Sequence, residues 1–217
     1  MKIAVIGGTG AEGSGLALRW AASGHAVVIG SRSAEKGVQA AAELAAAIPQ
    51  AHLTGADNLS AAQQAEIIVL AVPYEAQAAT LAPLLETLTG KLCLTVVAPL
   101  RSPRGRVWRL PSQLSAAEEA QQQIGERARV VAAFQNISAT HLRDLAQTVD
   151  CDVLVCGDDS QDKAIVMQLC ADAGMRGINA GALQNASVAE GMTAVLYAIN
   201  LIYKVKGAGL RITGLPV

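Results

Sequence analysis

The stretch Gly7-Gly8-Thr9-Gly10-Ala11-Glu12-Gly13 constrains this chain more than any other, because of what flanks it. The apolar run Ile3-Ala4-Val5-Ile6 before it reads as a short buried strand, and the alanine-rich pattern over 14–22 reads as a helix. Gly8, Gly10 and Gly13 fit G-x-G-x-x-G, the spacing that seats a dinucleotide pyrophosphate on a helix N-terminus. On this reading Gly8 permits the tight turn, Gly10 the close backbone approach to phosphate, and Gly13 the helix–strand contact. Glycine spacing alone says little. A strand before it and a helix after it are what give it meaning.

The second strand, 26–29, follows a turn at Gly24-His25, where His25 reads as a turn residue, and it ends in Gly30-Ser31-Arg32-Ser33, with Lys36 one helical turn on. An NAD-binding unit usually places an acid here to grip the ribose 2′-hydroxyl. This chain has none. Ser31, Arg32 and Lys36 can instead surround a 2′-phosphate, Arg32 as a flat fork and Lys36 as a point charge. Cations at a helix start oppose the helix dipole, and a bound anion accounts for them better than a solvated surface does. The residues favour NADP(H) over NAD(H).

Further along, the pattern predicts a helix over 34–47 ended by Pro49, a short helix over 59–65, and a buried strand over 66–72 stopped by Pro73. A helix over 76–88 should break or kink at Pro83, and 91–97 is the next strand. Strand–helix–strand order implies an α/β fold with a doubly wound, mainly parallel sheet. Residues 112–126 read as a polar helix, 130–134 as a strand, 139–146 as a short helix and 153–157 as the last strong strand. A helix over 161–173, a long apolar-faced helix over 183–206 and an extended tail close the chain.

Several residues invite a chemical reading. Val72-Pro73-Tyr74-Glu75 lies where a parallel strand's carboxyl end meets a ligand crevice; Tyr74 either touches nicotinamide, ribose or substrate there, or simply packs. Arg101, Arg104, Arg106 and Arg109 form a mobile basic loop, suited to an acidic substrate or merely solvated. Asp158 and Asp159 precede a helix without a histidine at ligand spacing, so they read as caps, and no metal site is expected.

Composition narrows the partners. A net charge of -1 and 3% aromatics give no support for nucleic-acid binding. With 52% hydrophobic residues, 217 residues can bury a substantial core. Cys93, Cys151, Cys156 and Cys170 form no C-x-x-C pair and read as buried reduced thiols. The chain opens directly on a strand, and its most apolar late run, 195–205, is too short to span a bilayer; a cytoplasmic protein without membrane contact is expected.

Together these residues resemble the NADPH-dependent reductases of coenzyme F420. The resemblance runs nearly the full chain: the opening glycines, Ser31-Arg32 with Lys36, Val72-Pro73-Tyr74-Glu75, Val155-Cys156-Gly157-Asp158-Asp159, Asn179-Ala180-Gly181 and Leu210-Arg211-Ile212-Thr213-Gly214. It implies a Rossmann domain over 1–157 and a small helical region over 158–217 that walls the pocket and offers a dimer seam. It also implies reversible hydride transfer between NADPH and the deazaflavin ring, with F420 as co-substrate and the protein a homodimer. By resemblance Thr9, Gly10, Ala11 and Glu12 hold the pyrophosphate region, and Ser31, Arg32 and Lys36 the 2′-phosphate. Val72, Pro73, Ala98 and Ala139 border the cofactor. No general acid is required, since both partners carry their own reactive centres. Gln135, Ile137 and Tyr74 are the pocket candidates. Gln135 stands where family members commonly carry histidine; it can hydrogen-bond a carbonyl but cannot take a charge. The basic loop would suit a tail bearing phosphate and glutamates.

Three other readings are open to the sequence. One is an NADP-dependent dehydrogenase of a hydroxy acid or imine using Asn200 and Lys204, which share a helix face. Another is a reductase of flavins or ferric complexes. The third is a non-enzymatic NADP(H) sensor, because fold does not fix function.

Overall fold

The computed structural model describes residues 1–101, 106–107 and 112–215. Eight strands form one sheet. Strands β1 (Lys2–Ile6), β2 (Ala26–Ser31), β3 (Leu53–Asp57), β4 (Ile67–Leu70), β5 (Leu92–Thr95) and β8 (Arg129–Ala132) all run parallel. Between β5 and β8, a separate short ribbon pairs β6 (Leu100–Arg101) with β7 (Arg106–Val107), antiparallel. Strand β9 (Asp152–Gly157) pairs antiparallel with β8, and β10 (Arg176–Asn179) runs parallel to β9. The order across the sheet is β10-β9-β8-β5-β4-β1-β2-β3.

The central strands are apolar at nearly every position because both faces are covered. Ile3, Val5, Val27, Ile29 and Val69 pack beneath α1 (Ala11–Ala22), α2 (Ala34–Ala45) and α7 (Ser160–Asp172). Ala4, Ile6, Val28, Ile68 and Leu70 pack beneath α3 (Asn58–Gln64), α4 (Tyr74–Leu81) and α5 (Ala116–Ile124). Strands β3 and β10 are absent from the sequence-based reading, and both are sheet edges. Leu-Thr-Gly-Ala-Asp and Arg-Gly-Ile-Asn have no continuous apolar run, because an edge strand is only half covered.

Helix ends depart from the expected ranges for local reasons. Gly10 is the N-cap of α1, so that helix begins at Ala11, well before 14. The expected break at Pro83 is present: α4 stops at Leu81 and a tight turn, Ala82–Leu84, follows. Ser115 and Glu118 form a capping box that starts α5 at Ala116 instead of 112. Helix α6 (Ala139–Leu142) is shorter than the expected 139–146. The His141 and Leu142 carbonyls, which a longer helix would use internally, accept instead from buried Arg19, whose guanidinium also donates to the carbonyls of Asp144, Gln147 and Ala173.

Beyond residue 157, α7 and β10 complete the same layers, leaving α8 (Ala186–Tyr203) and the tail outside them. The tail is extended, as expected, and docks on β9. Leu210 accepts from the Asp152 amide at 2.7 Å, and the Ile212 amide donates to the Asp152 carboxylate at 2.6 Å. Arg176 grips that carboxylate at 2.9 and 2.7 Å and holds it below the usual carboxylate range. Leu183–Tyr203 is 21 residues long and apolar enough by composition to cross a membrane. Its first part is nevertheless sealed against α5 through Ala186, Ala189 and Glu190.

Replacing Arg19 with leucine would strand five backbone carbonyls around an apolar chain. The expected loss is about 3 kcal/mol of unfolding free energy, with Arg19→Lys recovering only part of it. Urea unfolding of the two variants beside the parent measures this.

Candidate functional site

The chain proceeds from β1 through β2 to β3 on one side and returns with β4 on the other. A crevice therefore opens at the carboxyl ends of β1 and β4, where the winding direction reverses. It has a volume of about 580 Å³ and is lined by Gly7, Thr9, Gly10, Ser31, Arg32, Lys36, Val72 and Pro73, all but Gly7 expected there.

The glycines do not divide their roles as the spacing suggested. The turn residue is Gly7, at φ 77, in the left-handed region that favours glycine. Gly8 is packed instead: a Cβ there would lie 2.8 Å from the Val5 carbonyl. A Cβ on Gly13 would lie 3.0 Å from Gly8 Cα and 3.1 Å from Ala71 Cβ, which is the close helix–strand contact expected of it. At Gly10 only the Gly7 carbonyl is near, at 3.5 Å, so the backbone is open to a ligand.

At the exit of β2, Ser31 is buried while Arg32 and Lys36 are exposed, and no ion pair among the described residues engages either cation. Ser33 caps α2 by accepting from the Lys36 amide, and its hydroxyl also holds Glu35, the acid of that first turn. Asn58 joins the lining with its Oδ1 buried and unpartnered. Sequence reasoning missed it because Asn58 follows β3, the strand that was not read. Ala76 and Thr80 also line the crevice, and their four-residue spacing along α4 was the available signal.

On the same sheet edge a second pocket, of about 170 Å³, is bounded by Leu100, Gln135, Ile137, Thr193, Tyr197 and Asn200. Of the three pocket candidates, the structure brings Gln135 and Ile137 together here. Gln135 is buried; its amide donates to the Thr95 carbonyl at 3.0 Å, and its own carbonyl accepts from Thr193 at 2.7 Å. Its Oε1 has no partner. Phe134, just before it, holds φ 72 while fully buried, edge-on to Trp20 at 5.8 Å. A bulky residue in that conformation stores strain, and here it turns the chain so that Gln135 faces back over β5. Thr193 escaped the sequence reading because only the folded helix brings it to Gln135.

Other expected residues lie elsewhere or carry other duties. Tyr74 heads α4 and donates its hydroxyl to Glu119 at 2.7 Å; it lines neither pocket. Ala98 lies on the loop after β5, Ala139 opens α6 after β8, and Ala11 opens α1. Asp159 caps α7 and Asp158 accepts from the Leu183 amide; β9 is antiparallel, so both sit at the opposite edge from the crevice. Asn200 accepts from the Ala208 amide, while Lys204 is the exposed left-handed cap of α8. Of the basic stretch, the backbones of Arg101 and Arg106 are in the β6–β7 ribbon, and Arg104 and Arg109 lie outside the described residues.

The family signature described as NADP oxidoreductase, coenzyme F420-dependent, matches residues 2–99. The F420-dependent NADP reductase of Methanothermobacter marburgensis is 43% identical over 228 residues, with both chains covered completely. That of Methanocaldococcus jannaschii is 40% identical over 225 residues, again covering both chains completely. This chain belongs to the F420-dependent NADP reductase family. The crystal structure of a candidate member from Arthrobacter sp. FB24 superposes with a TM-score of 0.83 at 28% identity, covering 99% of this chain and 100% of that one. An NADP-bound pyrroline carboxylate reductase from Plasmodium falciparum, at 16% identity and a TM-score of 0.62 over 94% of this chain and 66% of that one, shares the fold. Within this family member, the signature takes in β1 through β5, whereas Gln135 and its pocket lie beyond it.

A buried acid supports the wall between the two halves. Glu190 of α8 accepts from the amides of Ala116 and Ala117 at 2.9 and 3.0 Å, capping α5 from outside. Burial outweighs those two bonds and raises its carboxyl from 4.5 to about 7. The folded state therefore holds this proton more tightly than the unfolded chain does, so the group's contribution is greatest in acid and is lost as pH rises from 4.5 to about 7. Over that window the parent should lose stability relative to Glu190→Gln by at most about 1.4 kcal/mol per pH unit, then run parallel to it above. Chemical denaturation at a series of pH values reads the difference.

Proposed function

We propose that this protein catalyses reversible hydride transfer between NADP(H) and the deazaflavin coenzyme F420. The observation that carries the reading is the pairing, on one sheet edge, of two pockets. One is a dinucleotide crevice with two unengaged cations; the other is bounded by Gln135, Ile137 and α8. The full-length relatives named above supply the chemical identity of the two partners.

The residues fit a phosphorylated dinucleotide on structural grounds. Gly10 leaves its backbone open, Arg32 and Lys36 stand ready for the 2′-phosphate beside Ser31, and the crevice wall offers Asn58 an unmet hydrogen bond. NADPH supplies the hydride and the deazaflavin receives it. The chain's part is to hold the two rings and exclude water. Gln135, fixed by Thr95 and Thr193, presents an acceptor oxygen whose charge does not change with pH, which suits an N–H on the receiving ring. Ile137 gives the pocket an apolar wall.

The decisive assay mixes purified protein with NADPH and oxidised F420 and follows loss of deazaflavin absorption. Fast bleaching with NADPH and slow bleaching with NADH are expected. Arg32→Ala should weaken NADPH by roughly ten- to a hundredfold, as befits a lost charge-assisted contact, and leave NADH nearly unchanged. NADPH binding without bleaching would redirect the search to flavins and ferric chelates.

Two further parts of the reading concern assembly and place. The protein acts as a homodimer through α8, whose Val188, Val195, Leu201, Ile202 and Tyr203 are exposed, Ile202 and Tyr203 at 72% each. Single exposed apolar residues are ordinary, but a run along one helix is the mark of a contact face. Ile202→Asp should halve the mass measured by sedimentation velocity. We place the protein in the cytoplasm, a reading supported by four free, buried cysteines.

A further inference from the structure

Five buried side-chain oxygens lack a hydrogen-bond partner among the described residues, and two of them, Gln135 Oε1 and Asn136 Oδ1, stand on consecutive residues. Both side chains border the second pocket, Gln135 at 4% exposure and Asn136 at 3%. Each amide has its nitrogen committed. Gln135 Nε2 donates to the Thr95 carbonyl at 3.0 Å; Asn136 Nδ2 donates to the Asp152 carbonyl at 2.7 Å and lies 3.5 Å from Cys151 Sγ. A carbonyl only accepts, so neither amide can turn over without setting oxygen against oxygen. The nitrogens anchor the two side chains, one to the end of β5 and the other to the start of β9, and an acceptor from each is left at the cavity they share.

Other polar groups of that wall are already engaged. Thr193 Oγ1 donates to the Gln135 carbonyl at 2.7 Å, Ser138 Oγ donates to the Lys206 carbonyl at 3.0 Å, and Asn200 Oδ1 accepts from the Ala208 amide at 2.9 Å. The two amide oxygens therefore ask a ligand for donors, and for two of them. A buried oxygen left unpaired is costly, so an edge bringing one donor is held less well than an edge bringing two.

The redox forms of a deazaflavin differ in this respect. The oxidised ring has one pyrimidine donor, N3–H, and a bare N1, which is an acceptor. Hydride from NADPH forms the new C–H bond at C5 and leaves NADP⁺. The electron pair displaced through the ring settles on N1, which takes a proton from solvent. The reduced ring thus carries donors at N1 and N3, on either side of the C2 carbonyl.

We propose that Asn136 is a specificity-determining residue that selects the reduced deazaflavin: Gln135 Oε1 accepts the N3–H common to both forms, and Asn136 Oδ1 accepts the N1–H that only the reduced ring carries. This inference rests on the F420 reading above. Against the oxidised ring the Asn136 oxygen meets the lone pair of N1 and is repelled. A ring bound more tightly when reduced is also harder to oxidise on the protein, by the same factor.

The test is anaerobic calorimetric titration with oxidised and with reduced F420, in one slightly acid buffer so that the reduced ring keeps its N1 proton. Each is run with the dinucleotide crevice empty, and again in the two unreactive pairings, NADP⁺ with the oxidised ring and NADPH with the reduced one. The parent, Asn136→Leu and Gln135→Leu are compared, each first checked by thermal melting. The parent should bind the reduced ring about tenfold more tightly than the oxidised one. Asn136→Leu should weaken the reduced form and bring the ratio of the two Kd values close to unity. Gln135→Leu should weaken both forms and leave the ratio standing. Equal affinity of the parent for the two forms would overturn the proposal, and that comparison decides even where Asn136→Leu fails to fold. A parent-like ratio in a well-folded Asn136→Leu would overturn it as well. Failure of the parent to bind either form in any pairing would overturn the F420 reading itself.

Discussion

The structure depends on the contact that seats α1 on the sheet. With no side chain at Gly13, the helix sits where a Cβ would lie only 3.0 Å from Gly8 Cα and 3.1 Å from Ala71 Cβ, so any larger residue would push helix and strand apart. From that seat each turn of α1 does separate work. Its first turn points free amides into the crevice, where an anion is favoured. Gly15, a turn later, closes on Leu142, and Arg19 gathers carbonyls of α6 and of the loop behind it. Trp20 donates to the Leu169 carbonyl and meets Phe134 edge-on, supporting the strained φ that aims Gln135. One helix thus fixes the geometry between the dinucleotide crevice and the second pocket. Hydride transfer requires this of a protein when its reactants carry the chemistry themselves.

How far the sequence disclosed this varies with the physics of each element. Central strands were readable because burial on both faces demands apolar residues throughout, and β1, β2, β4, β5 and β9 show it. Edge strands β3 and β10 face solvent on one side and carry Gly, Asp, Arg and Asn, so nothing marked them. That omission also hid Asn58. The cations at Arg32 and Lys36 were legible because their spacing from the strand end fixes their place, and they do line the crevice. Tyr74 was not decidable: whether a residue just past a strand end turns inward depends on its neighbours, and Glu119 of α5 holds it. The exchange of roles between Gly7 and Gly8 was equally hidden, since spacing counts glycines without telling which one needs a positive φ.

The electrostatics of the two pockets differ in kind. The crevice mouth displays positive charge at Arg32 and Lys36, while Glu35, the nearby acid of α2, is drawn onto Ser33 and kept ionised there. The Gln135 pocket has no charge of its own among its lining residues and instead offers an unmet acceptor in an apolar frame. A charged, flexible mouth captures a phosphorylated ligand by attraction. A neutral, rigid pocket discriminates by shape and by the cost of leaving its buried oxygen unpaired.

Helix α8 joins these halves and has two dissimilar faces. Its inner face contributes Thr193 to Gln135 and Glu190 to the start of α5, so it braces the second pocket. Its outer face is apolar and uncovered in the single chain. Covering that face would remove apolar area from water and stiffen the helix that carries Thr193, coupling assembly to the aim of Gln135. The tail adds to the same restraint, tying Lys206 to Ser138, Ala208 to Asn200 and Leu210 to Asp152 across the pocket's outer rim. The glycines permit that path: a Cβ on Gly207 would fall within the His141 ring, and one on Gly209 would lie 2.9 Å from Cys151 Sγ. Residues 206–210 thus brace the rim of the second pocket, as residues 7–13 shape the crevice.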